Sequence, residues 1–420
     1  MAEREVEVAV QIGGSDVIAG RMWAHRRGKT ESATFSYSPE YLAREDAYPL
    51  DPMLPLAAGQ LQTPVGRSIF GAFSDCAPDR WGRTLINRRA RRRAGSGAEP
   101  SFAEVDYLLG VRDDLRQGAL RFRDPATQEF LAAEDGGVPH LVDLPTLLNL
   151  ADRVERDVAD EEELEVLLRG GSSLGGARPK AHVLDQDGRL AIAKFPRLSG
   201  DEWDVVRWEA VTLGLARECG ISTPAAKLHE IDGRSVLVVD RFDREGDMRI
   251  GYASAMTLLE ATDGEDRSYL DMVDVIEQES DRATDDLHQL NRRIAFSILV
   301  SNTDNHLRNH GFLRVTSGGW SLAPAFDLNP DPEPGVKLLS TGIDGRSSVA
   351  DLGMLLECAE LFRLSDEGAR AIVAEVGAAT DRWREAARRA RLSSDSIAQM
   401  EPAFQHTSAE LAAEIRAALA

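Results

Sequence analysis

Cysteine is scarce in this chain: three in 420 residues, at Cys76, Cys219 and Cys358, far apart and without the paired spacing of a metal module. That argues against a disulfide framework or a zinc site and makes a reducing cytoplasm the natural home. Long apolar runs are missing too. No stretch of about 18 apolar residues occurs, and the N-terminus MAEREVEVAVQIGG is charged and alternating, so neither membrane spanning nor secretion is indicated. Positive charge is in deficit: 49 Lys plus Arg stand against 70 Asp plus Glu, a net charge of −21. Such a field repels phosphate backbones and disfavours extensive direct binding of DNA or RNA by this chain alone. A basic partner or a local basic patch could still bring it there. What is present is 43% hydrophobic residues over a length that suggests two or three units.

The first 40 residues read as strands. Val6, Val8, Val10 and Ile12 alternate with polar or small neighbours, and Gly13-Gly14-Ser15-Asp16 supplies a turn. A helix is expected over 78–93, PDRWGRTLINRRARRR, opened by Pro78, with further helices over 103–112 and 143–156. After the acidic run DEEELE (160–165) the character changes. GGSSLGGARPK (170–180) is glycine-rich. AHVLDQDGRLAIAKF (181–195) reads as a β-hairpin turned at Asp187-Gly188. Residues 204–219 form an apolar helix stopped by Gly220, and 235–242 a buried strand. From about 253 the chain is expected to be mostly helical, apart from a hairpin at 311–322. The main boundary is placed near 160, giving 1–160 and 161–420, the latter split into 161–250 and 251–420.

One stretch stands apart: LVSNTDNHLRNHGF, Leu299 to Phe312. It follows an apolar helix, Leu290 to Val300, and is so polar that it is not expected to pack as core. Asp304 and Asn309 have D-x-x-x-x-N spacing, that of a kinase catalytic loop, in which the aspartate accepts the substrate hydroxyl proton and the asparagine holds Mg²⁺. Alone this pattern is weak. A hairpin then leads to Ala325-Phe326-Asp327, a second carboxylate for a metal–triphosphate site. Asp327 could equally be a turn former before Asn329-Pro330.

The phosphate end should lie upstream. In RLAIAKFP, alternation puts Lys194 on one face with Leu190 and Ile192, where an ammonium is costly without an anionic partner. Glu209, between Trp208 and Ala210 on the next helix, is a plausible orienting carboxylate. The plain alternatives are a lysine snorkelling from a sheet edge and a glutamate on a solvated stripe. In the glycine-rich stretch, small residues would let backbone N–H groups approach phosphate oxygens, with Lys180 adding charge. It is not a Walker A loop, and alone it could be a linker. Taken in order, glycine loop, lysine strand, glutamate helix, D-x4-N, hairpin and aspartate follow the order of a protein-kinase-like fold. The expected class is α+β: a two-lobed kinase-like core with a mainly helical C-terminal lobe and a smaller N-terminal α/β domain.

With these motifs assembled, the sequence resembles the HipA family, the serine/threonine kinase toxins of bacterial toxin–antitoxin modules. The resemblance lies in SSLGGARPKAHV (172–183), AIAKFP (191–196), DRFDR (240–244), SAMTLLEATDGEDRSYLDM (254–272), SNTDNHLRNHGF (301–312) and LAPAFDLNP (322–330). Towards the N-terminus it lies in FSYSPEYLA (35–43) and FSDCAPDRWGRTLINRR (73–89). It implies Asp304 as catalytic base and Asn309 and Asp327 as Mg²⁺ ligands. Lys194 becomes the ATP phosphate contact, and Lys180, Gly175, Gly176 and Ser173 belong to the nucleotide loop. Ser173 matches the serine that the family autophosphorylates, which would expel the loop by charge repulsion; Ser172 is adjacent, and the choice between them is open. The family also implies a helix-turn-helix antitoxin of HipB type that carries the DNA contact. A protein substrate is implied as well, an aminoacyl-tRNA synthetase being the best-known target.

His306, inside the catalytic stretch, could touch a phosphate or shape the loop. The five arginines Arg88, Arg89, Arg91, Arg92 and Arg93 could contact DNA beside an antitoxin or form a solvated helix end. Three functions remain in competition: a growth-inhibiting ATP- and Mg²⁺-dependent protein kinase, a phosphotransferase of the same fold acting on a small molecule, and a non-catalytic partner-binding protein.

Overall fold

The computed structural model describes residues 2–94, 101–132, 137–171, 176, 178–315 and 319–419. The chain divides into two compact units. Unit 1 comprises 1–200, 231–233 and 238–260, and unit 2 comprises 201–230, 234–237 and 261–420.

Unit 1 is built on a five-stranded antiparallel sheet in the order β4-β3-β2-β1-β5. Its strands are β1 (Ala2–Ile12), β2 (Ser15–Arg27), β3 (Thr30–Tyr37), β4 (Leu61–Gln62) and β5 (Leu120–Arg123). The alternation read at Val6, Val8 and Val10 is the buried face of β1. The turn into β2 uses left-handed backbone at Gly13 and Gly14, φ 57° and 81°, which glycine adopts without a Cβ clash. Against this sheet Phe73 packs edge-on to Phe35, Phe70 and Phe122, with centroids 5.6–5.9 Å apart.

By compactness the helix Glu161–Arg169 and the chain through Gly200 group with unit 1, as do 231–233 and 238–260. The helix Glu161–Arg169 is tied to the helix Arg80–Ala94 by charge. Arg89 meets Glu165 at 3.0 Å, Arg93 meets Glu161 at 2.5 Å, and Arg88 and Arg92 reach Asp157 at 3.7 and 3.9 Å. These pairs join the basic run to residues in and just before the acidic helix, while Arg92 and Arg93 stay half exposed.

Unit 1 continues into the hairpin of β6 (Lys180–Leu184) and β7 (Leu190–Lys194), with Lys180 directly opposite Lys194. Ala191 and Ala193 are buried, while Leu190, Ile192 and Lys194 share the half-open face. Beneath the hairpin lies a buried polar knot. Arg241 bonds Asp243 at 2.5 Å, and Asp243 accepts the Gly118 N–H at 2.8 Å. Arg241 also donates to Nε2 of His182 at 2.8 Å, so the other ring nitrogen carries the proton and donates to Gly170 O at 2.8 Å. Burial, and next the Arg241 charge, lower the His182 pKa to about 3, so the ring is neutral.

In unit 2 the helix Val205–Glu218 is buried nearly all round, as its apolar sequence required, and Gly220 ends it at φ 79°. Trp208 is fully buried beside Trp383 and Phe404, which stack at 4.6 Å. The long helix Ala283–Leu299 leads into the catalytic stretch, and the hairpin Gly311–Arg314 with Ser321–Leu322 leaves it. The expectation of mostly helix beyond 253 fails at 323–350, which holds neither helix nor strand apart from isolated bridges. That segment is fixed by side chains and single backbone bonds instead. Cys76, Cys219 and Cys358 are all free thiols, and no described helix is long and apolar enough to cross a membrane.

Candidate active site

The stretch after Leu299 turns sharply because Ser301 takes left-handed backbone, φ 52°. Contrary to expectation, part of it is core. Ser301, Asn302 and Asn305 are 0%, 3% and 1% exposed, and His310 is buried. Buried polar groups need partners, and Asn305 and His310 have them, whereas the Ser301 hydroxyl makes no hydrogen bond. Asn305 Nδ2 donates to the Tyr269 hydroxyl at 2.5 Å, its carbonyl accepts from Thr341 Oγ1 at 2.9 Å, and His310 Nε2 lies 3.1 Å from that carbonyl. Thr303 O accepts both the N–H and the hydroxyl of Ser340, at 3.0 and 2.8 Å. The backbone carrying Asp304 is thus clamped on both sides while the Asp304 side chain stays 78% exposed.

Asn309 Nδ2 donates to Asp304 O at 2.8 Å. A nitrogen facing a carbonyl fixes the amide orientation, which leaves Oδ1 as the atom suited to a cation. His306 Nε2 lies 4.0 Å from Asp304 Oδ1. The Asp304 pKa is pushed up, first by desolvation and also by the Asp327 carboxylate, with His306 opposing. The backbones that carry Asp304 and Asp327 are joined by the bond from Asn329 N to Asn302 Oδ1.

Asp327 itself is held by its neighbours in sequence. Ala325 N donates to Ser222 O at 2.7 Å, Thr212 Oγ1 bonds Leu328 O, and Asn329 N donates to Asn302 Oδ1 at 3.3 Å. Asp331 N then reaches Ser301 O at 3.1 Å. Between these anchors Asp327 takes left-handed backbone, φ 55°, sparsely populated for a residue with a Cβ and most tolerated by Asn and Asp. A position strained in this way aims one carboxylate.

Unit 2 therefore gathers Asp304, His306, Asn309 and Asp327. Glu209 is also in unit 2, on the buried helix Val205–Glu218 and 4% exposed, which removes the solvated-stripe alternative. Lys180, Lys194 and Gly176 belong to unit 1. Lys180 is buried and pairs with Asp79 at 2.9 Å. Ser173 and Gly175 lie outside the described residues, as does Ser172.

The HipA-like C-terminal domain matches residues 172–383, and the HipA N-terminal domain matches 11–122. The chain belongs to the HipA family. Among curated relatives of this HipA chain is a protein of Sinorhizobium fredii (strain NBRC 101917 / NGR234) named as a kinase, Y4mE, 28% identical over 341 residues and aligned over 74% of each chain. Among solved structures, the HipA, HipB and operator DNA complex of the Shewanella oneidensis MR-1 toxin–antitoxin system aligns at TM-score 0.65. That match has 15% identity and covers 98% of this chain and 99% of that one, so the two share a fold. The Helicobacter pylori proinflammatory kinase CtkA aligns at TM-score 0.43 with 16% identity, over 57% of this chain and 90% of that one.

Sequence reasoning missed the framework of the HipA site. Tyr269 and Thr341 each bond Asn305 from 36 positions away, and Thr212 bonds Leu328 across 116. Tyr269 lies in the family-like stretch 254–272, which gave it no role, and no local pattern marks Thr341, Thr212 or Ser222, which holds Ala325. The one available signal was the density of Asn around Asp304, a side chain that satisfies buried backbone groups.

Proposed function

We propose that this protein is an ATP- and Mg²⁺-dependent protein serine/threonine kinase that acts as the toxin of a HipBA-like module. The observation that carries the reading is the arrangement in unit 2: an exposed Asp304 on a clamped loop, Asn309 bonded to its backbone, and Asp327 close enough to raise its pKa. Asp304 would accept the proton of the substrate hydroxyl, and a raised pKa brings a carboxylate nearer to that task.

The donor set suits the metal. Asn309 Oδ1 and an Asp327 carboxylate oxygen are hard oxygen ligands, and Mg²⁺ commonly takes one or two carboxylates with phosphate oxygens. When bound, Mg²⁺ would neutralise charge on the transferring phosphoryl group. Lys194 and Lys180 would contact phosphates, Glu209 would orient Lys194, and His306 would shape the loop. Loop phosphorylation at Ser173 or Ser172 would inactivate the enzyme.

The presence of HipB in the Shewanella complex supports a helix-turn-helix antitoxin partner. Direct DNA contact through Arg88–Arg93 loses support, because four of these arginines face carboxylates of 157–165. A translation-related target such as an aminoacyl-tRNA synthetase, and a cytoplasmic location, complete the reading. The deciding experiment is radiolabelled ATP with Mg²⁺ and full-length protein. Label on Ser172 or Ser173 that is abolished in Asp304→Asn supports the kinase, and absence of both label and nucleotide-induced thermal shift overturns it.

A further inference from the structure

The glycine-rich segment ends at Lys180, and the environment of that lysine is unusual. Its ammonium lies 2.9 Å from Asp79 Oδ2, with the two side chains only 10% and 4% exposed. A Cβ on Gly176 would fall 2.9 Å from the same nitrogen, so the ammonium sits directly against the glycine backbone. Lys194 is the cross-strand mate of Lys180. Like charges directly opposite on a β-pair destabilise it, and an ammonium this buried needs an anion. Asp79 meets both needs.

Asp79 is itself fixed. Its Oδ1 accepts the Gly82 N–H at 2.7 Å and its carbonyl accepts the Arg83 N–H at 2.9 Å, which places it at the start of the helix Arg80–Ala94. Two residues on, buried Trp81 donates its indole N–H to Lys180 O at 3.1 Å. One helix start thus grips both the side chain and the backbone of Lys180. Its far end grips the helix Glu161–Arg169 that precedes the glycine-rich segment.

We infer that Asp79 is a positioning residue for nucleotide binding: a carboxylate within the HipA N-terminal domain match that aims the Lys180 ammonium at phosphate. This rests on the reading of Lys180 as a phosphate contact. It means that ATP affinity depends on a domain outside the C-terminal match, through one ion pair.

Asp79→Asn is the discriminating variant, because Asn also accepts at a helix start and leaves the cap intact while removing the charge. In full-length protein it raises the KM for ATP about tenfold, as loss of one charge-assisted bond to a binding group would, and changes kcat by less than about threefold. Lys180→Met in the Asp79→Asn background adds little further, since both act through one contact. Asp79→Glu, which keeps the charge and extends it by a methylene, gives an intermediate KM and serves where Asp79→Asn does not fold. An unchanged KM in both Asp79 variants, or effects of Asp79→Asn and Lys180→Met that multiply, overturns the inference while leaving the kinase reading intact. Wild-type protein that neither binds MgATP by calorimetry nor transfers phosphate overturns both.

Discussion

The side-chain oxygen of Asn302 accepts the backbone N–H of Asn329 at 3.3 Å, joining the segment that carries Asp304 to the segment that carries Asp327. The two acidic groups lie far apart in sequence, and this bond sets one backbone against the other. Asn302→Ala removes the acceptor and leaves the Asn329 N–H unpaired in a partly buried place, at a cost of about 1 kcal/mol. We expect a lower melting temperature and a kcat loss larger than the change in KM for ATP. Equal loss in both, or none in either, would show that the bond does not register the two segments.

Asp304 carries the chemistry in this reading, so its removal should spare binding. Asp304→Asn is expected to lower phosphoryl transfer by about 10²–10⁴-fold, the usual contribution of a positioned base. MgATP affinity by calorimetry should stay within about threefold of wild type. A variant that retains a tenth of its activity would remove the general-base role.

Asp327 requires a replacement that respects its backbone. Asn tolerates the left-handed conformation better than Ala, so Asp327→Asn isolates the charge. The Mg²⁺ concentration for half-maximal rate should rise at least about tenfold in Asp327→Asn, and less in Asn309→Ala, where a neutral ligand is lost. A Mg²⁺ titration with unchanged midpoints in both would place the metal elsewhere.

Acid should loosen the molecule through two buried rings. His182 and His310 have pKa values lowered to about 3 and about 4, each chiefly by burial, so both are neutral in the fold. Unfolded histidine titrates near 6.5, so below that the unfolded chain binds more protons. Their contribution is fully present above about pH 6.5 and is lost as pH falls towards 4, by up to about 1.4 kcal/mol per pH unit for each ring. Chemical denaturation at pH 7.0, 6.0 and 5.0 should show this slope, and His182→Gln should make it shallower. A slope identical to wild type would mean that His182 takes up its proton in the fold as readily as in the unfolded chain.

Much of this was legible in the chain, and the remainder has a physical reason for being hidden. The helix Val205–Glu218 and the hairpin β6–β7 announced themselves through local apolar period and through Gly220 and Gly188, whose positive φ marks where each element stops or turns. Asp304, Asn309 and Asp327 were singled out by spacing and order, and their active-site roles are what we propose. The burial of Ser301, Asn302 and Asn305 was not, because it depends on partners such as Tyr269 and Thr341 that tertiary packing alone supplies. The segment 323–350 was misjudged for a similar reason. Its backbone is held bond by bond to Ser222, Thr212, Asn302 and Ser301, a pattern without any period.

The ladder of charge between Arg88–Arg93 and Asp157–Glu165 binds two stretches of sequence into one inheritance. A mutation that erases Glu165 leaves Arg89 without its mate, and one that reverses Glu161 sets it against Arg93. Drift on either helix is then tolerated mainly when the other drifts with it. Across related chains these positions should vary in matched couples, and a chain that has exchanged the signs wholesale, acidic on the first helix and basic on the second, should assemble this face equally well.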